Sequence, residues 1–136
     1  MDFLRFSLAG FDDFLVYFGL SIAFVAGYLA VYVRVTPYRE FALIRAGNPA
    51  AAASLAGSLL GFVLPLASAT AHSVHPVDMA LWAAIALVVQ VLVYVVVRFS
   101  MPATVRQIPD GKVAAGVFLG VTSLAAGILN AACMTY

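Results

Sequence analysis

Few residues in this chain could do chemistry, and their spacing limits what that chemistry would be. His72, His75 and Asp78 stand three apart in the segment HSVHPVD. Imidazole and carboxylate together can hold zinc or a similar ion. Only three such side chains are present, and Pro76 interrupts the helix that would align them. A wet turn between two apolar segments is the plainer reading, so no metal and no other cofactor is assigned. Histidine titrates near neutrality, so a sensor of external pH is the other reading of the pair. Ser21, Ser68 and the other hydroxyls lack a histidine and a carboxylate at helical spacing. Cys133 is the only cysteine, which excludes an intrachain disulfide, and with no base near it in sequence it reads as a packed thiol. The chain is therefore read as non-enzymatic.

A second set of polar residues lies inside apolar sequence. Gln90 and Asn130 are the amides there, and Ser54, Ser58, Thr122 and Ser123 are the hydroxyls. Such groups in hydrocarbon must face other helices or a wet path. Hydrogen bonds between membrane helices contribute only about 0.6–2 kcal/mol, which is enough for these residues to act as glue. The alternative is a permeation path. Pro65 falls within the second apolar segment, removes a backbone donor and is expected to bend that helix. No lysine, arginine or carboxylate lies deep in an apolar segment, which argues against a proton-coupled pump or a voltage sensor.

The elements that must position these residues follow from composition. Hydrophobic residues make up 65% of the 136 and charged residues 10%, against about 45–50% and about 25% in soluble domains. Lipid is the expected solvent. A net charge of +1 provides no basic face for nucleic acid. Four segments are long enough to span a bilayer at about 1.5 Å per residue: 14–33, 49–71, 79–97 and 113–134. Small residues recur on single helix faces at Gly19, Ala23 and Gly27, at Ala53, Gly57 and Gly61, and at Gly116, Gly120 and Gly127. Each face offers close approach to a neighbouring helix. Tyr28 and Tyr32 suit a membrane interface. Asn48 before Pro49 reads as a helix cap, and Asp110 in the Pro109-Asp110-Gly111 turn is available to cap the last helix. The N-terminus does not read as a cleaved signal, because Asp2 competes with Arg5 and Asp12 and Asp13 precede a run long enough to span.

Shifting the chain by 64 residues aligns Arg34 with Arg98, Ile44 with Ile108, Gly47 with Gly111 and Leu55 with Leu119, without a gap. The expected fold is thus an all-α integral membrane domain over 1–136, with four transmembrane helices in two tandem two-helix repeats, about 14–71 and 79–134. Six of the seven basic residues fall in the connections 34–48 and 98–112. By the positive-inside bias these face the cytoplasm, which puts both termini outside.

Gly47-Asn48 with AAAASLAG, then LLGFVLPLASA, WAAIALVVQVLVY and GVFLGVTSLAAGILNAACMTY, resembles domain of unknown function family 350, the YjfL-like bacterial inner-membrane proteins. The resemblance runs from the first span to Tyr136. It implies a four-helix inner-membrane protein built from two repeats, with a link to envelope maintenance or stress, and it supplies no catalytic or binding residue. The leading expectation is a structural or accessory subunit of a membrane assembly in the bacterial envelope. It would contact the lipid bilayer, form a homo-oligomer and meet other membrane proteins. The alternative is a small channel or transporter lined by Gln90, Asn130, Ser54 and Ser58 and shaped by Pro65.

Overall fold

A computed structural model describes residues 1–134, and Thr135 and Tyr136 lie outside the described residues. Among the described residues the regular structure is entirely helical: α1 Asp2–Ser7, α2 Phe11–Val35, α3 Glu40–Arg45, α4 Pro49–His72, α5 Pro76–Ser100, α6 Pro102–Arg106 and α7 Val113–Cys133. Four of these, α2, α4, α5 and α7, are long and apolar enough to cross a membrane. Large apolar side chains such as Leu60, Leu81, Val96, Val121 and Leu129 stand more than half exposed on their outer faces. Water would penalise that surface, whereas hydrocarbon accepts it.

The helix starts follow local chemistry. Asn48 Oδ1 accepts from the Ala51 amide at 3.1 Å, and Pro49 occupies the first helical position, where a missing N–H costs nothing. α5 begins in the same way, with His75 Nδ1 accepting from the Val77 amide at 3.1 Å. Pro76 therefore opens α5 instead of interrupting a helix, and the third long helix runs three residues beyond the expected 79–97 at each end. α2 likewise starts at Phe11, with Asp12 and Asp13 in its first turn. Their carboxylates face the positive end of the helix dipole, so they begin the helix rather than hold it off. Asp110 is not a cap. Lys112 holds the cap position of α7 and makes no side-chain cap bond.

α4 is the central helix and packs against α2, α5 and α7, and its contact with α7 is by far the most extensive. The two connections close alike. Gly47 has φ +86° and Gly111 has φ +77°, a left-handed conformation open to glycine. The Gly47 amide donates to the Ile44 carbonyl at 3.0 Å and the Asn48 amide to Leu43 at 2.9 Å. At the second connection, Gly111 donates to Ile108 at 3.0 Å and Lys112 to Gln107 at 3.3 Å. All four positions in each set differ by 64. Asn48 also ties the two connections together, its Nδ2 donating to the Ile108 carbonyl at 2.8 Å.

Candidate functional site

The α4–α7 seam has almost no side chain in it. A Cβ built on Gly57 would collide with the backbone of Gly120, and one on Gly116 with the backbone of Ala50. Gly120 meets the carbonyl of Ala53, and Gly127 meets the backbone of Gly61. Helices this close gain dispersion and Cα–H···O contacts that larger residues would forbid. Gly19 and Gly27 on α2 are different, since a Cβ on either would meet nothing within 4 Å, and Ala23 is exposed. No backbone closes on that stripe within the chain, and Ala23 and Gly27 border a shallow groove with Leu87 of α5. Pro65 is buried in α4, which continues through it as one helix. It leaves the Gly61 carbonyl without the usual amide four residues on, and that carbonyl faces Gly127.

The polar residues at depth bond to one another. Tyr32 Oη and Ser54 Oγ lie 3.1 Å apart, joining α2 to α4. One turn along α4, Ser58 Oγ donates to Ser123 Oγ at 3.3 Å. Gln90 Nε2 donates to the Ser123 carbonyl at 2.9 Å, so α5 joins the seam. Its amide occupies the space that Gly61 leaves, where a Cβ would strike it. Gln90 Oε1 and Asn130 Nδ2 are buried without a partner among the described residues. Thr122 turns away and lines shallow apolar grooves on the outer side of α7 with Val121 and Val93. Gln90, Ser123 and Ser58 therefore form one bonded set, Ser54 and Tyr32 a second one turn along α4, and together they make a polar ladder from which Asn130 and Thr122 stand apart.

The ladder leads to a group that sequence reading missed. Glu40, the only glutamate, opens α3 in what reads as a solvated basic connection, yet it has no exposed surface. Tyr28 and Tyr32 are not at an interface either, with 0% and 1% of their surface exposed. Tyr28 stacks on Phe62 at 4.6 Å between ring centroids, and Tyr32 meets Tyr94 edge-on at 5.3 Å. Tyr38 adds a fourth tyrosine from the connection. The hydroxyls of Tyr38 and Tyr32 are near enough to the Glu40 carboxyl to favour its ionised form in part. Neither reaches it in full hydrogen-bond geometry: among the described residues both carboxyl oxygens, and the hydroxyls of Tyr28, Tyr38 and Tyr94, are buried without such a partner. Burial outweighs the tyrosines and pushes the Glu40 carboxyl up to about 7. Burial likewise raises the Tyr38 phenol well above its ordinary range.

No cationic side chain answers Glu40. Arg39 and Arg45 are exposed, and Arg98 Nη1 donates to the Val35 carbonyl at 2.7 Å. A cleft of roughly 470 Å³ opens beside α3, lined by Thr36, Pro37, Tyr38, Arg39, Glu40 and Arg45 among others. The one signal available in sequence was a lone Glu two residues after a Tyr, beside Tyr28 and Tyr32 at helical spacing. Three of those residues are brought together by a turn that periodicity cannot foresee. At the other end of the molecule, His72 Nδ1 pairs with the Ser68 carbonyl at 2.8 Å and His75 caps α5. Among the described residues no three metal-binding side chains gather, and Cys133 is exposed rather than packed.

The chain is 45% identical over 123 residues to the UPF0719 inner membrane protein YjfL of Escherichia coli strain K12, covering 90% of this chain and 93% of that one. The YjfL protein of Escherichia coli O157:H7 matches to the same extent. No solved structure matches. These relatives are inner membrane proteins, in keeping with four apolar helices whose outer faces are bare. The model of a domain of unknown function, DUF350, matches residues 6–134, and the chain belongs to that family.

Proposed function

We propose that this chain is a non-enzymatic inner-membrane subunit that self-associates and serves as a structural or accessory part of an assembly in the bacterial envelope. The observation that carries this reading is the division of its small-residue faces. Gly57, Gly61, Gly116, Gly120 and Gly127 are consumed in the α4–α7 seam, whereas Gly19, Ala23 and Gly27 remain open on α2. A small-residue stripe left bare on a lipid-facing helix favours a second helix at close range. The partner is a second copy or another membrane protein of the assembly. Crosslinking in membranes tests it: Gly19→Leu with Gly27→Leu should abolish the oligomer band while thermal stability in detergent is kept. An unchanged band sinks the proposal.

The shared geometry of Gly47 and Gly111, 64 residues apart, supports an origin in two tandem two-helix units. With basic connections on the cytoplasmic side, both termini lie outside. A second reading, a small channel or transporter, is favoured by the buried polar groups Gln90, Ser123 and Ser58, followed one turn along α4 by Ser54 and its Tyr32 partner on the Glu40 side. Ion or solute flux in liposomes that vanishes in Gln90→Leu, with assembly intact, would select it.

A further inference from the structure

We infer that Glu40 and the hydroxyls of Tyr38 and Tyr94 form a binding site for a single alkali metal ion at the connection end of the bundle. The site is built from three elements: Glu40 on α3, Tyr38 in the segment before it, and Tyr94 on α5, with Tyr32 of α2 beside them. Four oxygen atoms there, two carboxyl and two phenolic, are buried and have no hydrogen-bond partner among the described residues. Buried polar groups left without a well-formed hydrogen bond are costly, and an ionised carboxylate is far more so. Oxygen-only donors suit a hard cation.

The charge of the site selects the class of ion. Glu40 contributes one negative charge, and the phenols are neutral donors. Divalent sites of the calcium type gather several carboxylates, and none of the other five acidic residues is near. Arg98 faces Tyr94 from α5, and Arg39 and Arg45 flank the cleft, so a field of positive charge further disfavours a divalent ion. The cleft that Glu40 and Tyr38 help to line opens at the basic connection, the side from which an ion would enter. On binding, the carboxyl O–H bond breaks, its proton leaves to solvent, and the carboxylate takes the cation, so charge is conserved. This site stands whether or not the chain self-associates.

Thermal unfolding in detergent at pH 8.5 tests the inference. The starting buffer contains tetramethylammonium as its only cation, and sodium, potassium or lithium chloride is added at constant ionic strength. The wild type should show a saturable rise in Tm of a few degrees with at least one alkali ion, as ligand binding to the folded state requires. Glu40→Gln should lose that ion-specific rise, and Tyr38→Phe should need roughly tenfold more ion for it. An equal response to all salts, or an ion-specific rise retained in Glu40→Gln, overturns the site. If Glu40→Gln does not fold, wild-type protein in weak buffer near pH 6.5, where the carboxyl still holds its proton, decides: proton release on adding the alkali salt but not the tetramethylammonium salt supports the site, and no release overturns it.

Discussion

At the residue scale, the fate of Glu40 shows how far environment can move an ordinary side chain. A carboxyl with no exposed surface and no hydrogen-bond partner is pushed up to about 7 by burial, with Tyr38 and Tyr32 only partly opposing the shift. The folded state therefore holds the proton more tightly than the unfolded chain does. Stability from this group is complete below the ordinary carboxyl value of 4.5 and is lost as pH rises to about 7. At about 1.4 kcal/mol per unit, the loss is on the order of 3–4 kcal/mol. In alkali-free buffer, the Tm of the wild type relative to Glu40→Gln should fall between pH 4.5 and 7 and then level off. A difference that stays flat across this range would show the carboxyl to be solvated. Apart from Tyr38 two residues earlier, the sequence around Glu40 points the other way, because Glu40 lies between Arg39 and the exposed Phe41, where a solvated acid is the natural expectation.

At the element scale, the α4–α7 seam sets the tolerance of the molecule to added atoms. Gly127→Ala would place a methyl group against the backbone of Gly61, and neither helix can yield without losing the contacts on either side. A cost of about 1–3 kcal/mol is expected for such overpacking. Gly19→Ala meets nothing within 4 Å and should be neutral or slightly stabilising. Comparing the two by thermal unfolding in detergent separates a packing effect from the general preference of helices for alanine. Asn48→Ala removes both the cap on Ala51 and the bond to the Ile108 carbonyl. Its loss should exceed the roughly 1 kcal/mol of a cap alone. Glycines at four-residue spacing were legible as packing faces from sequence. Which faces meet within the chain was not, because the α2 stripe carries the same pattern as those of α4 and α7.

At the scale of the whole molecule, the arrangement of charge makes a claim about orientation. With Cys133 replaced by serine, a cysteine at position 74 should react with a membrane-impermeant reagent added to spheroplasts, and one at position 39 should not. The reverse pattern would invert the topology and put Glu40 on the outer side. Four long helices, the Asn48 cap and the basic connections could all be read from the chain in order, because each depends on neighbours a few residues away. Hydropathy over twenty residues and a capping side chain are local properties. The tyrosine-ringed carboxyl joins α2, α3 and α5 across more than fifty residues of sequence. Its buried state arises from the way α3 folds back beneath the bundle. Likewise, the seam of Gly57 with Gly120 exists because α4 and α7 come to lie side by side, a choice among several equivalent small-residue faces that packing of all four helices makes together.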